Sequence, residues 1–402
     1  MTDRTDILLT QKFIPEMGGS IRWMYEVYRA WPWPVQVITH DVYRHPPNTP
    51  EFAVVPQPPN GVDHVTGANL TMDRRDIFMH DWGMENPKRV LRYWRMMHAV
   101  WQRLGSGRKV RVHCTHAVPE VVSLIPLKWR FGDALQIVCY AHGEEVTACL
   151  TSRQLRLLMG RAHRVIDLMI ANSRYTQNVL DGLIDADKVH VVHPGVSLSE
   201  FAGASEAGEA WRREHNCNGK VIALTVGRLD LRKNHAAVIR ALGELRDEIP
   251  NLQYHVAGEG REQARLERLA RDCNVSDRVV FAGPVDGPTR LAMYGGCDLF
   301  VMPAIRDGSD VEGFGMVMIE AGACGKACIG GCEGGQPETL IDGETGLVVN
   351  GRDQSAVTSA FRRLAADNEL RHALGTRAAT RAAQYDWRYV VQQTVKLVEK
   401  MH

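Results

Sequence analysis

Two glutamates, Glu312 and Glu320, flank a Gly-x-Gly turn at 313–315, and seven residues separate them. The turn runs into an apolar stretch that predicts a helix, and the first N–H groups of a helix favour an anion. With a rise of about 1.5 Å per residue, the two carboxylates would lie on the order of 10 Å apart. A nucleotide sugar, with hydroxyls at both ends and a diphosphate between them, has the matching shape. The alternative is an ordinary solvated helix start, since short motifs often match by accident.

A basic loop forms a second candidate site, because Arg228 and Lys233 both follow the predicted strand at 221–226. Loops at the carboxyl ends of parallel strands form the ligand crevice of open α/β sheets. Two cations on one such loop could bracket a diphosphate, and Asn234 is predicted to cap the next helix. A solvated basic turn is the alternative.

Glycine and histidine residues at other predicted strand ends extend this set. Gly18 and Gly19 are adjacent, which lets the backbone approach an anion closely, but they do not form a Gly-x-Gly-x-x-Gly fingerprint. His142 precedes Gly143 at the end of a predicted strand and could bind a ligand or act as a base. The alternatives are a plain turn and a capping histidine.

Size and composition indicate a two-domain globular protein. A chain of 402 residues is too long for one ordinary core. No run of about 20 apolar residues occurs, which predicts no transmembrane helix, and the short apolar run at the start predicts a cytoplasmic protein without a signal peptide. A net charge of +1 gives no indication of a nucleic-acid partner.

Short β-rich runs alternate with helical patterns, which predicts α/β architecture with mainly parallel sheets. Strands are predicted at 7–10, 35–39, 110–114, 136–140, 168–171, 189–192, 221–226, 253–257, 279–282, 299–302, 327–330 and 347–349. The two series predict two doubly wound domains that join near 194–201. Prolines predict a surface loop at 46–59, and the apolar spacing at 387–400 predicts a helix.

No metal site is predicted. Cys324, Cys328 and Cys332 are evenly spaced, but glycines interrupt any helix that would align them, and structural zinc needs four ligands. We interpret them as reduced thiols, as the odd total of nine cysteines favours. The Asp-x-Asp sequence at 185–187 is interpreted as a solvated turn.

The stretch 87–111 is basic and rich in tryptophan, and it contains no acid. One interpretation is an amphipathic surface that contacts anionic lipid or an anionic acceptor. The interpretation that we favour is a helix that packs its tryptophans and leucines inward and exposes its arginines to water.

Taken together, these landmarks occur in an order that resembles the retaining glycosyltransferases of the GT-B fold, family four. The resemblance covers nearly the whole chain and rests on Gly18-Gly19, His142-Gly143, Asn172-Ser173, His193-Pro-Gly195, Gly227-Arg228 with Lys233, Gly258-Glu-Gly260, Glu312 to Glu320, Gly334-Gly335 with Pro337-Glu338, and Gly343 with Gly346. The segment 310–338 is most similar to bacterial mannosyltransferases that act on phosphatidylinositol mannosides. The chain departs from that pattern around 31–59 and 87–111, which leaves the acceptor open.

The resemblance implies two Rossmann-like domains facing a central cleft: an acceptor-binding domain at 1–197, a nucleotide-sugar-binding domain at 198–384, and a helix at 385–402 that packs on the first domain. The residues that it implies are catalytic are Arg228, Lys233, Glu312 and His142. The residues that it implies bind the donor are Gly18, Gly19, Gly258, Val285, Gly313, Phe314, Gly315, Met316, Val317 and Glu320. Within this set, Arg228 and Lys233 would hold the diphosphate, Glu312 the transferred sugar and Glu320 the ribose.

The function implied is transfer of a hexose from a nucleotide-diphosphate sugar, of the GDP-mannose or UDP-glucose type, to a hydroxyl of a glycan, glycolipid or small molecule. Neither a metal nor another cofactor is implied, and contact with the inner face of the membrane would run through 87–111. Asp286 could accept from guanine N–H groups, whereas UDP donors are commoner in the family, so the base stays open. The alternatives are a GT-B sugar phosphorylase or epimerase and a non-catalytic nucleotide-sugar-binding subunit.

Overall fold

The computed structural model of the chain describes residues 4–16, 18–43, 69–104 and 108–401. The surface loop predicted at 46–59 lies outside these residues. By their contacts the described residues form two compact units. The first contains the chain up to His193 together with the last helix, and the second contains Pro194–Asp386.

The first unit is built on a parallel sheet. Its strands are β1 (Arg4–Leu9), β2 (Val35–His40), β3 (Leu70–Arg75), β4 (Lys109–Cys114), β5 (Leu135–Ala141), β6 (Leu168–Ala171) and β7 (Val189–Val191). Its helices before His193 are α1 (Gly19–Arg29), α2 (Pro87–Leu104), α3 (Val122–Phe131), α4 (Glu144–Thr151), α5 (Arg153–Val165) and α6 (Arg174–Leu180). The strand order is β3-β2-β1-β4-β5-β6-β7. The order reverses between β1 and β4, where a doubly wound sheet opens its ligand crevice.

The second unit repeats this plan. Its strands are β8 (Val221–Val226), β9 (Leu252–Ala257), β10 (Val279–Gly283), β11 (Leu299–Met302), β12 (Ala327–Gly331) and β13 (Gly346–Val349). Its helices are α7 (Leu198–Phe201), α8 (Ala204–Glu214), α9 (His235–Glu244), α10 (Gln263–Asp272), α11 (Gly287–Gly296), α12 (Met316–Ala323), α13 (Gln354–Ala366) and α14 (Asn368–Ala382). The parallel strands run in the order β10-β9-β8-β11-β12-β13, so the order reverses between β8 and β11.

The last helix, α15 (Trp387–Glu399), belongs to the first unit and contacts α1. Its apolar side, which includes Trp387, Val390 and Val391, is buried. Among the helices of the described ranges, none is both long and apolar enough to cross a membrane.

The predicted α/β class with two doubly wound sheets is confirmed, and each of the twelve predicted strands is present within three residues of its predicted ends. The strand β3 was not predicted. Its sequence, Leu-Thr-Met-Asp-Arg-Arg, is polar because β3 is an edge strand and its side chains are partly exposed. Backbone pairing with β2 holds it in the sheet.

The helix α2 contradicts the interpretation that we favoured from the sequence. Trp94 and Trp101 are half-exposed, at 50% and 49%, as are Val90 and Leu91. The arginines of this helix are paired instead: Arg89 with Asp81, Arg92 and Arg95 with Asp76, and Arg103 with Asp73. Acids on β3 and in the segment after it draw the arginines inward, so an apolar stripe is left facing outward.

Candidate active site

The strand-order reversal of the second sheet brings two candidate loops together. The loop after β8 carries Arg228 and Lys233, and the loop after β11 carries Glu312. Loops that leave neighbouring strands on opposite sides of such a reversal form the walls of a crevice. The topology therefore explains how side chains about 80 residues apart in sequence meet.

A buried ion cluster joins the two loops. Oε2 of Glu312 accepts hydrogen bonds from Nζ of Lys233 at 2.5 Å and from Nη1 of Arg232 at 2.7 Å. Nε of Arg232 also lies 2.7 Å from Oδ1 of Asp310. Two cations thus face two carboxylates, and Arg232, which sequence reasoning missed, is the most deeply buried of the four.

The charges in this cluster shift one another's protonation. Burial alone would raise the pKa of Glu312, but Lys233 and Arg232 outweigh it and lower that pKa to about 2. Burial lowers the pKa of Lys233, and the neighbouring Arg232 adds to this, while Glu312 opposes it. Glu312 is therefore an ionised acceptor of hydrogen bonds at any ordinary pH, which suits a sugar hydroxyl.

The Gly334-Gly335 pair fixes the backbone of Glu312. The N–H of Gly335 donates to the carbonyl oxygen of Glu312 at 2.8 Å. A Cβ on Gly334 would lie 2.4 Å from the same oxygen, and Gly334 has a φ of +73°. Side chains are thus excluded at Gly334 so that Glu312 can sit against this turn.

The turn at 313–315 presents backbone rather than side chains. Phe314 is buried in the core, and its ring lies 5.9 Å from the ring of Tyr385. Gly315 adopts the left-handed conformation, with φ of +93°, and α12 begins directly after it at Met316. Val317 occupies the next position of α12 and is partly buried. The start of this helix is the feature for which an anion was predicted.

Glu320 is buried on α12 and already bonded within the unit. Its Oε2 accepts from the hydroxyl of Tyr294 at 2.9 Å, and its Oε1 lies 3.7 Å from Arg290. Arg290 is in turn paired with Glu200 at 2.7 Å. These partners could not be predicted from the sequence, because they come from α11 and α7.

The remaining predicted residues of this unit serve the loops at the strand ends. The side chain of Arg228 is half-exposed, and its Nε lies 3.2 Å from Asp230. Gly258 allows close backbone contact, since a Cβ there would lie 2.0 Å from the carbonyl oxygen of Gly227. Val285 is partly buried beside the core.

Asn234, predicted as a helix cap, and Asp286, considered for guanine, have local roles that the sequence did not predict. The predicted cap at Asn234 is wrong as to the side chain, which donates to the carbonyls of Pro303 and Gly351 at 3.0 and 2.8 Å while the residue adopts a left-handed conformation. Asp286, considered for guanine, caps α11 by accepting from the N–H of Thr289 at 2.9 Å.

The other predicted residues belong to the first unit. Gly18 precedes α1, and Gly19 is its first residue. The ring of His142, after β5, lies 5.4 Å from that of Trp23 and 5.6 Å from that of His116. Burial, with a contribution from His116, lowers the pKa of His142 to about 3, so His142 is neutral.

The described residues contain no group of three His, Cys, Asp or Glu side chains placed to hold a metal ion. Cys324, Cys328 and Cys332 are free thiols that differ in exposure, from buried Cys328 to exposed Cys332.

Comparison with known families accounts for most of the chain. Residues 33–200 match the family described as Glycosyltransferase Family 4, and residues 208–381 match the family described as Glycosyl transferases group 1. The chain is 34% identical over 262 residues to the GDP-mannose-dependent alpha-(1-6)-phosphatidylinositol monomannoside mannosyltransferase of Mycolicibacterium smegmatis, which spans 64% of this chain and 68% of the relative. It is 33% identical over 248 residues to the D-inositol 3-phosphate glycosyltransferase of Corynebacterium jeikeium, which spans 58% of each.

Solved structures show the same fold. Anabaena HepE in complex with UDP superposes with a TM-score of 0.77 at 16% identity, covering 98% of this chain and 99% of that one. Sucrose-phosphate synthase from Thermosynechococcus elongatus superposes with a TM-score of 0.73 at 22% identity, covering 98% of each. The two family matches and the mycobacterial relative show that the chain belongs to the group 1, family four glycosyltransferases and has their GT-B fold.

Proposed function

We propose that this glycosyltransferase moves a hexose from a nucleotide-diphosphate sugar to an acceptor hydroxyl with retention of anomeric configuration and without a metal ion. The observation that carries the proposal is the buried cluster of Glu312 with Lys233 and Arg232 at the strand-order reversal, next to the start of α12. This cluster offers an ionised acceptor for sugar hydroxyls and fixed cations for a diphosphate. The carboxylate of Glu312 would bind a sugar hydroxyl, and the neighbouring cations would bind the diphosphate.

The two carboxylate oxygens of Glu312 have different roles in this proposal. Oε2 accepts from both Lys233 and Arg232. Oε1 has no hydrogen-bond partner within 4–16, 18–43, 69–104 and 108–401, which leaves it for a hydroxyl of the transferred sugar. Because Oε2 is held by two cations, a hydroxyl that reaches Oε1 meets a rigidly oriented acceptor.

In the proposed mechanism, transfer is accelerated by stabilising the negative charge of the leaving group. As the glycosidic bond breaks, negative charge develops on the β-phosphate of the leaving group. Arg228, Lys233 and the first N–H groups of α12 would stabilise that charge more in the transition state than in the ground state. The departing phosphate would take the acceptor proton on the same face of the sugar, so no side chain is assigned as a nucleophile.

The names of the relatives narrow the range of substrates that we propose. Four relatives are GDP-mannose-dependent mannosyltransferases that act on phosphatidylinositol monomannoside, and others are D-inositol 3-phosphate glycosyltransferases. We therefore propose GDP-mannose as donor and an inositol-containing acceptor, free or lipid-linked. The UDP complex of HepE, at 16% identity, bears on the fold alone.

A thermal-shift titration with GDP, UDP and ADP, each with and without chelator, tests the donor. We expect GDP alone to raise the melting temperature, by an increment that grows with the logarithm of its concentration, and we expect EDTA to leave this unchanged. A shift with UDP only would overturn the proposed base, and a shift abolished by EDTA would overturn metal independence. Turnover that requires inorganic phosphate would indicate a phosphorylase, and nucleotide binding without any turnover would indicate a binding subunit.

We also propose that the exposed apolar stripe of α2 contacts the membrane interface. Tryptophan is favoured at such interfaces, and Trp94 and Trp101 stand on this stripe with Val90 and Leu91. The arginines of α2 are engaged with acids of the same unit, so apolar insertion would contribute more to binding than attraction to anionic lipid.

Vesicle cosedimentation tests this contact. Replacing Trp94 with glutamate should weaken binding to phosphatidylcholine vesicles by roughly tenfold, as expected from the loss of about 1.5 kcal/mol of apolar burial. Trp129→Glu is the matched control, because Trp129 is exposed at 76% on α3. Equal loss in both variants, or binding that requires anionic lipid and disappears at high salt, would contradict the proposed stripe.

A further inference from the structure

A cluster of buried polar side chains at the strand-order reversal of the first sheet has no role in the proposed function. It follows β4 directly and consists of Thr115, His116 and Glu120, with Gln11 after β1. Because β1 and β4 flank the reversal, this cluster lies at the ligand crevice of the first unit. None of these four residues was predicted from the sequence to have a function.

The cluster orients the imidazole of His116. Oε1 of Glu120, which is fully buried, accepts from the N–H of Gln11 at 3.2 Å and from the hydroxyl of Thr115 at 3.2 Å. Nδ1 of His116 lies 3.3 Å from the same oxygen and 3.0 Å from the hydroxyl oxygen of Thr115. A carboxylate can only accept, so its presence places the proton of the neutral imidazole on Nδ1.

In the neutral imidazole the opposite nitrogen, Nε2, is then an acceptor. Nε2 of His116 has no hydrogen-bond partner in the described part of the chain, and 22% of the side chain is exposed. The carboxylate of Glu120 therefore fixes the tautomer and the ring orientation of His116. In the neutral ring, Nε2 is then the remaining acceptor of this partly exposed side chain.

Two aromatic rings lie near the imidazole of His116. The ring of Trp82 lies 5.7 Å from that of His116, at an interplanar angle of 42°. The neutral ring of His142 lies 5.6 Å from the ring of His116 and 5.4 Å from that of Trp23. Aromatic walls with a few well-placed polar atoms are typical of sites for small polar ligands, and the C–H face of a polyol ring suits such a wall.

We propose that His116, positioned by Glu120, binds the acceptor: its Nε2 accepts a hydrogen bond from a hydroxyl of a cyclic polyol whose ring lies against Trp82. The proposal rests on the proposed transferase function and adds to it the residue that selects and orients the acceptor. His116 is assigned a hydrogen bond and no proton transfer. Glu120 acts through His116 and is a positioning residue.

The test is transfer from GDP-mannose to phosphatidylinositol monomannoside in detergent micelles and to D-inositol 3-phosphate. His116→Ala should lower kcat/KM for the acceptor about tenfold, the loss expected for one neutral hydrogen bond. His116→Gln should recover part of it, because its amide oxygen reaches the position of Nε2. His190→Gln is the control, since His190 is exposed on β7. The GDP-induced thermal shift, which reports the second unit, should be present in each variant.

Glu120→Gln separates positioning from a structural role. His116 is faced by Glu120, Glu145, Lys12 and His142, and burial, which lowers its pKa, is outweighed by Glu120 and Glu145, so that the pKa is raised. Removing the charge of Glu120 lowers this pKa, and only neutral His116 can accept a hydrogen bond. The acid limb of kcat/KM for the acceptor should therefore move to lower pH in Glu120→Gln.

The outcomes distinguish the two proposals. Wild-type acceptor kinetics in His116→Ala, with normal transfer by the parent enzyme, would overturn the role of His116 alone. If His116→Ala melts far below the parent, Trp82→Ala decides: an unchanged KM for both acceptors would overturn the site. No transfer by the parent enzyme to either acceptor would overturn the proposed function, and this inference with it.

Discussion

Replacement of Lys233 with alanine is expected to lower kcat by about 10²–10³-fold, the effect of removing one fixed donor to a developing oxyanion. Lys233 lies on the loop after β8, and its ammonium is 2.5 Å from Glu312 in the proposed donor site. In the proposed mechanism it meets the β-phosphate as that group gains charge. The measurement is nucleotide release at saturating donor and acceptor.

The fold should tolerate this change. Without Lys233, Oε2 of Glu312 still accepts from Arg232 at 2.7 Å, so no charge is left buried and unpaired. We therefore expect a melting temperature close to that of the parent. Lys400→Ala is the matched control, because Lys400 is exposed near the end of the chain. Near-parental kcat in Lys233→Ala would refute the electrostatic mechanism, and a large fall in melting temperature would show that Lys233 is structural instead.

The sheets could be predicted because their strands are short, buried and apolar, and the burial that produces this pattern is a local property of each strand. The same reasoning fails for β3, whose six residues are partly exposed at the sheet edge and are held by backbone pairing. Because β3 was not predicted, the side of α2 that faces inward was predicted wrongly as well. The helix has apolar residues on two sides, and acids on the unpredicted β3 and after it decide which side faces inward.

The candidate site was predictable in its location but not in its pairing. The sequence places three basic residues in one loop, and only contact with the loop after β11 shows that Arg232 is the most deeply buried of them. The side chain of Asn234 is likewise determined by partners that are distant in sequence. A local rule predicts a helix cap, but two carbonyls from distant segments bind its side chain more effectively than the helix end could. Chemistry that depends on partners far apart in sequence needs the fold before it can be seen.

Replacement of Glu312 with alanine is expected to destabilise the enzyme by about 3–5 kcal/mol, in contrast to Lys233→Ala. Glu312 accepts from both Lys233 and Arg232, so its removal leaves one buried cation without a counter-charge and Arg232 with Asp310 alone. Transfer should also be lost, since the proposed acceptor for the sugar hydroxyl is gone. Urea denaturation measures the first effect, and nucleotide release measures the second.

Glu312→Gln isolates the charge, because it keeps the size of the side chain and an oxygen that accepts hydrogen bonds. The pKa of Glu312 is about 2 in the folded protein against 4.5 for an unperturbed glutamate, so the unfolded state binds the proton first as pH falls. The stability that the charge contributes is thus complete above pH 4.5 and is lost as pH falls towards 2. The pKa of Lys233 is lowered as well, because burial and the neighbouring Arg232 together outweigh the opposing effect of Glu312. The urea midpoint of the parent should therefore exceed that of Glu312→Gln at pH 7, and the difference should shrink steadily as pH falls from 4.5 towards 2. A constant difference across that range would show that the stabilising interaction of Glu312 does not depend on its charge.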